Sequence, residues 1–311
     1  MTTQKSFLYG PVPSRRLGLS LGVDFVPFKS CSLDCIYCQL GRTTLITTER
    51  TPCVPIDPII DQLKTRIRLG LEADYITIGG SGEPTLNSNL GSLIRSIKQL
   101  TDIPVALLTN GALFFRPDVR ADAAAADVVL PSLDAADQPT FEKINRPHPD
   151  ITIEKLIDGL VAFRRQYTGQ IWLEVFLIDN VNTAPDQIAK IADAIKRIRP
   201  DKVHLNTAVR PTAQPGLKIP SLQSLRDIAG QLAPNAEVIA DFQVTHPHYP
   251  SLHKANQDIL EMLKRRPCSV SDITAALGIT QQSVMREISS LLKNDLIRFT
   301  ENNGVVFYHA K

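Results

Sequence analysis

The chain has 311 residues, 43% of them hydrophobic and 21% charged, with a formal net charge of +2. That length supports a large domain plus a small one, and the charge balance excludes a broad nucleic-acid-binding field. No apolar run approaches a membrane span and the opening Met-Thr-Thr-Gln-Lys-Ser lacks a secretory core, so a cytoplasmic location without membrane contact is expected.

Tyr9-Gly-Pro-Val-Pro-Ser-Arg-Arg-Leu-Gly is punctuated by proline and glycine and reads as loop, leading to a first strand near Ser20–Asp24. Arg15 and Arg16 read either as substrate or cluster-loop residues or as a solvated basic pair. Next come Cys31, Cys35 and Cys38, three of five cysteines, spaced C-x3-C-x2-C. This clustering fits a reducing compartment rather than a disulfide framework. On a helix these positions would share one face and could be core. Pro27 and Asp34, with no flanking apolar period, argue against that. A structural zinc site would need a fourth Cys or His nearby, and Cys53 and His148 are the nearest. Thiolates at this spacing suit an iron–sulfur cluster, and three ligands on a four-iron cube leave one iron free.

After Pro55 helical and strand periods alternate. Helices are expected at Ile59–Arg68, Leu90–Leu100, Pro117–Ala123, Ile153–Tyr167, Pro185–Ile198 and Leu222–Leu232. The strands between them are Tyr75–Ile78, Val105–Leu108, Val128–Leu130, Ile171–Leu177 and Val203–Asn206. With the first strand this makes six β-α units, hence a parallel sheet with ligands at the carboxyl ends of its strands.

Those ends carry Gly79-Gly-Ser-Gly-Glu-Pro-Thr85, Thr109-Asn110-Gly111 and Ser132-Leu133-Asp134. The first turn has no P-loop lysine, and Glu83 would repel an anion, so it suits an ammonium-bearing ligand. Its plainer reading is a glycine turn with Pro84 opening a helix. Glu174 lies in an apolar strand and needs a partner if it points inward. Asn182, Asn206 and Arg210 follow or end later strands and are candidates for the substrate side, Arg210 as an anion clamp or an exposed loop residue.

His246, His248 and His253 sit among Pro247 and Pro250, which favours an exposed linker over a metal site. Beyond it, helices at Ile259–Arg265, at Val270–Leu277 and after Thr280, then a hairpin of Leu296–Thr300 and Val305–Tyr308, make a winged helix-turn-helix. Gln281, Gln282, Ser283 and Arg286 would face a groove of nucleic acid. Seven lysines and arginines against six acidic residues from Asn256 onward suit phosphate poorly. A peptide or protein ligand stays open.

The cysteine loop, with Tyr37 just before its last cysteine, resembles that of radical S-adenosylmethionine (SAM) enzymes. The resemblance implies that Cys31, Cys35 and Cys38 hold a [4Fe-4S] cluster and that SAM chelates its fourth iron. One electron then releases a 5′-deoxyadenosyl radical, which takes hydrogen from a substrate. Tyr37 would enclose the adenine. Gly82, Glu83 and Pro84, with Gly80, resemble the Gly-Gly-Glu motif for the SAM amino group. Ser132 and Asp134 would meet the ribose, Asn110 would be a further contact, and Asn145-Arg146-Pro147 resembles a recurrent segment. The implied fold is α/β, a partial TIM-type (β/α)6 barrel over residues 1–240, then a linker, 241–255, and the winged helix, 256–311.

The stretch from Tyr9 through Gln39-Leu-Gly-Arg-Thr is similar to a subgroup related to the wyosine-base synthases of tRNA. Those carry a second cluster on cysteines ahead of the loop. Here none precedes Cys31, and Cys53 and Cys268 are isolated, so that reaction is not carried over. The implied partners are a flavodoxin- or ferredoxin-like electron donor and an unidentified substrate (RNA base, peptide or small molecule). The competing reading is an iron–sulfur redox sensor that binds DNA through its winged helix. A sensor needs neither the barrel nor the Gly-Glu-Pro turn.

Overall fold

The computed structural model describes residues 6–239, 255–302 and 304–311. The expected linker, up to residue 254, and His246, His248 and His253 lie outside the described residues. The first region runs β1 Leu8–Ser14, β2 Gly18–Val23, β3 Ser30–Cys31, β4 Leu45–Ile46, α1 Asp57–Arg68, β5 Tyr75–Ile78 and α2 Leu90–Lys98. It continues with β6 Val105–Leu108, α3 Pro117–Ala123, β7 Val128–Leu130, α4 Gln138–Asn145, α5 Ile153–Gln166 and β8 Gln170–Phe176. It ends with α6 Pro185–Ile198, β9 Lys202–Asn206, α7 Leu222–Leu232 and β10 Ala236–Val238.

Eight strands form one sheet in the order β1-β2-β5-β6-β7-β8-β9-β10, and all but β1 run parallel. The order follows the chain and never reverses, so there is no Rossmann switch point; this is the sheet of a partial barrel. Strand residues alternate between two faces. Ile76, Ile78, Leu107, Val129, Leu173, Val175 and Leu205 pack outward against helix residues such as Leu93, Leu160, Phe163 and Ile191. Ala106, Val128, Leu130 and Trp172 point the other way and pack with Leu17. Each fully buried side chain of this kind contributes about 1.5–3 kcal/mol.

Besides the two-residue pair β3 and β4 at the cysteine loop, three elements depart from the sequence expectation. The segment expected as loop forms the edge strand β1, antiparallel to β2 with a register shift between Tyr9 and Val12. At an edge Pro11 and Pro13 cost no ladder bond, which is why proline misleads here. Helix α4 was not expected; its few apolar residues give a weak period, and Asp137 caps it through Thr140 N at 2.9 Å. Strand β10 has three residues and extends the parallel run beyond β9.

The second region is α8 Ala255–Arg265, α9 Val270–Leu277, α10 Gln281–Lys293 and the hairpin β11 Ile297–Asn302 with β12 Val305–Ala310. A capping box of Ser269 and Asp272 starts α9, and Gly278 at φ 61 ends it. Its core joins Ile259, Met262, Ile273, Val284, Ile288 and Ile297 to Val12 of β1. The winged helix therefore packs on the barrel through its first two helices.

Candidate cofactor site

Asp34 is buried within the cysteine loop and accepts from Arg42 Nε at 2.6 Å and Thr43 N at 2.7 Å. The loop backbone is tied to the end of α4: Asp34 N donates to Asn145 O, Ile36 N to Ile144 O, and His148 N to Ser32 O, each at 2.9 Å. Arg146 makes that approach by adopting φ 44. From the loop after β9, Ala213 N and Gln214 N donate to Cys38 O and Ile36 O. Three chain segments thus fix the loop.

Each cysteine sulfur receives one side-chain N–H. Asn110 Nδ2 lies 3.4 Å from Cys31, Asn145 Nδ2 3.4 Å from Cys35, and Lys29 Nζ 3.2 Å from Cys38. Burial, then the charge of Glu83, pushes the Cys31 thiol up to about 12. Burial and Asp134 raise Cys35 well above the usual thiol range, and the neighbouring cysteines add to both. Three half-buried thiolates gathered on one loop need a cationic centre. Among the described residues no three Cys, His, Asp or Glu side chains converge closely enough for a single metal ion. A polynuclear cluster gives each sulfur its own iron and fits this wider set.

The turn after β5 lies against the same loop. Glu83 N donates to Ser30 O at 3.0 Å, and Lys29 N to Ser81 O at 2.7 Å. A Cβ on Gly82 would sit 2.2 Å from Ser30 O, and Gly80 has φ +148, so both positions need glycine. Pro84 is buried and opens a short 3-10 turn. The Glu83 carboxylate is buried beneath the turn rather than presented at its surface. Its Oε1 accepts from Thr85 N, Thr85 Oγ1 and Thr109 Oγ1 at 3.1, 2.6 and 2.6 Å, and its Oε2 from Asn110 N at 2.8 Å. Burial raises its pKa while these donors oppose the shift. The side chain clamps the end of β6 to the turn, leaving the turn's backbone to meet a ligand.

Asp134 is a second node. Its carboxylate accepts from Tyr37 Oη at 2.5 Å, Asn145 Nδ2 at 2.7 Å and Phe176 N at 3.0 Å. Tyr37 stacks on Phe176 with centroids 3.9 Å apart. Burial, then Asp134, holds the Tyr37 phenol well above its usual range. Ser132 bridges to Glu174 at the end of β7 and is half-buried. Tyr37, Asp134, Asn145 and Cys35 thus form one unit; Cys31, Asn110 and Glu83 form another.

The remaining candidates divide. Arg16 pairs with Glu174 on the inner face, which supplies the partner Glu174 needed. Arg15 reaches Asn206 Oδ1 at 2.8 Å, and Arg210 pairs with Asp272 of α9 at 3.0 Å. Asn182 does not line an open site. It is fully buried and its Nδ2 donates to Asp134 O and Phe176 O at 2.8 Å, tying the β8 end to the turn after β7. Lys29 was missed as a sulfur donor, and its only signal was its place two residues before Cys31.

The family profile described as Radical SAM superfamily matches residues 25–195, and that described as MarR family matches residues 257–304. A Brachyspira hyodysenteriae protein named GTPase Obg is 37% identical over 97% of this chain, which spans 45% of that protein's length. A UPF0026 protein of Helicobacter pylori is 32% identical over 97% of both chains. A radical SAM methyltransferase from Sphaerobacter thermophilus shares the fold, with a TM-score of 0.54 at 18% identity over 70% of this chain and 66% of its own.

Proposed function

Since the chain belongs to the radical SAM superfamily, we propose that it is an enzyme that cleaves SAM reductively and takes hydrogen from a substrate held on the inner face of its barrel. One observation carries this reading. Three cysteine sulfurs, each with its own N–H donor, sit on a loop fixed beside a glycine turn at the carboxyl ends of the strands. When bound, the cluster supplies one electron to SAM, which yields methionine and a 5′-deoxyadenosyl radical.

Cys31, Cys35 and Cys38 hold the irons, and Lys29, Asn110 and Asn145 orient the thiolates. The backbone of Gly80 through Gly82 takes the SAM ammonium, with Glu83 keeping the turn against β6 and Pro84 opening the chain beyond it. Tyr37, braced by Phe176 and Asp134, walls the adenine side. The Ser132 hydroxyl is the ribose contact, while Asp134 acts through Tyr37. The inner face excludes water from the reacting carbon. A reduced flavodoxin- or ferredoxin-like protein delivers the electron. No helix among the described residues is long and apolar enough to cross a membrane. The redox-sensor reading is weaker, because the winged helix packs its first two helices on the barrel.

The test is anaerobic. Protein reconstituted with iron and sulfide is mixed with dithionite and SAM, and 5′-deoxyadenosine is measured by mass spectrometry. Wild type is expected to form it, and Cys35→Ala is expected to lose both the cluster absorbance and the product. A reducible cluster without SAM binding would sink the proposal.

A further inference from the structure

A cavity of about 590 Å³ lies between the inner face of the barrel and the winged helix. Ser20, Thr77 and Leu108 reach it from the sheet, Gly80 from the SAM turn, and Met262 and Ala276 from α8 and α9. Arg15, Arg16, Arg210, Arg265 and Arg266 line it, and among the described residues Asp272 is the one carboxylate in the lining. Two of the five cations are neutralised locally: Arg16 by Glu174, and Arg265 by Glu261 with Asp24 at 3.7 Å.

The other three share Asp272. Arg210 Nη2 takes its Oδ1 at 3.0 Å, and the Oδ2 is committed to the cap of α9 through Ser269 N at 2.9 Å. Among the described residues Arg15 meets two neutral acceptors, Asn206 Oδ1 and Ile239 O. Among the described residues Arg266 has no carboxylate in ion-pair range. Arg210 Nε is buried with no partner. Burial, followed by the charges of Arg210 and Arg266, lowers the Arg15 pKa to about 10. Among the described residues, three guanidinium groups therefore share one carboxylate in a semi-enclosed space. That is costly unless a ligand supplies the anion.

We propose that this chamber is the substrate site and binds the phosphate group of a small phosphorylated molecule through Arg15, Arg210 and Arg266. The proposal rests on the reading of the barrel as a SAM-cleaving enzyme, and it names the substrate class. Guanidinium groups match phosphate oxygens in pairs and stay charged when buried. The three arginines come from the turn after β1, the loop after β9 and the end of α8, so the phosphate bridges barrel and winged helix. The body of the ligand then lies toward Gly80, beside the SAM turn. The volume fits a small-molecule site, and enclosure by three elements favours a single phosphorylated molecule over a polymer.

Binding is tested on the full chain, both reconstituted wild type and Cys35→Ala. The probes are ribose 5-phosphate, a nucleoside monophosphate, the matching nucleoside and a short single-stranded RNA. Melting temperature and the fluorescence of Trp172, the only tryptophan, report binding. A phosphorylated small molecule is expected to raise the melting temperature of both proteins where the nucleoside does not. Arg15→Gln and Arg266→Gln are each expected to weaken binding about tenfold or more, with partial recovery in Arg266→Lys. Arg197→Gln, on an exposed surface, is expected to change nothing. Equal binding of nucleoside and monophosphate, RNA binding without small-molecule binding, or no phosphate-dependent response would overturn the proposal. Binding by Cys35→Ala keeps this result separate from SAM cleavage. A protein that takes phosphate but whose reducible cluster does not bind SAM would refute the enzyme reading and leave the clamp standing.

Discussion

The cysteine loop and the arginine chamber are both built from buried polar groups, but they are satisfied to different degrees. Around the loop, Asp34, Glu83 and Asp134 accept two, four and three hydrogen bonds, and among the described residues the one orphaned buried side-chain atom there is Asn145 Oδ1. In and beside the chamber, Arg210 Nε, Arg265 Nε and His204 Nδ1 are buried without a hydrogen-bond partner. A site for a resident cofactor can be fastened permanently. One that receives a transient ligand keeps part of its polar capacity unspent, at a cost in stability.

The sharpest way to break this contrast is to remove an acceptor from the satisfied end. Asp134→Ala strands Tyr37 Oη, Asn145 Nδ2 and Phe176 N, with Asn145 no longer held toward Cys35. Losing one partner from such a network costs about 3 kcal/mol or more. The expected outcome is a lower urea midpoint and poor iron retention after reconstitution. A variant with wild-type midpoint and a full iron complement would show that Asp134 fastens nothing.

Much of this was readable in the chain. The six expected strands, the later helices of the winged module and its hairpin recur within one or two residues, because their apolar periods are long or their caps explicit, as with Thr280 and Gly278, whereas α8 begins four residues earlier than expected. Strand β1 was hidden by prolines that an edge tolerates, and α4 by a weak period. At the site, residue type announced the ligands and long-range contacts decided the rest. The pairing of Arg16 with Glu174 spans 158 positions, and that of Arg210 with Asp272 joins two domains. No local pattern records such partners. The full saturation of Glu83 was equally invisible, since Thr109 and Asn110 arrive from a different strand.

A pH titration probes the chamber side. His204 is buried on the inner face, with Nε2 3.0 Å from Glu237 Oε1 and Trp172 edge-on at 5.6 Å. Burial, then Arg16, lowers its pKa to about 4, and Glu237 only partly opposes this. A folded pKa below the unfolded value means that the unfolded chain takes up a proton first. Stability is therefore complete above about pH 6.5 and falls as pH drops toward 4. Loss on the order of 2 kcal/mol across that window is expected from this group. His204→Gln should flatten the pH dependence of the urea midpoint there; an unchanged slope would place the dependence on the carboxylates instead.

The smallest expected effect separates fastening from tuning at the cluster. Asn110 and Asn145 give Cys31 and Cys35 neutral donors, whereas Lys29 brings a positive charge to Cys38 from a buried position at φ 55. A nearby cation favours the reduced, more negative cluster, so Lys29→Met should lower the reduction potential with the iron content intact. A shift of about 60 mV is the tenfold step for a one-electron couple, and hydrogen bonds to cluster sulfurs are among the factors that set these potentials. The check is a potentiometric titration followed by electron paramagnetic resonance. If Lys29→Met instead loses iron at an unchanged potential, the lysine fastens the loop as Asp34 does, and its contact with Cys38 serves position alone. If the potential falls while iron stays, this end of the molecule contains a residue whose charge acts on the cofactor, which the neutral donors Asn110 and Asn145 cannot do.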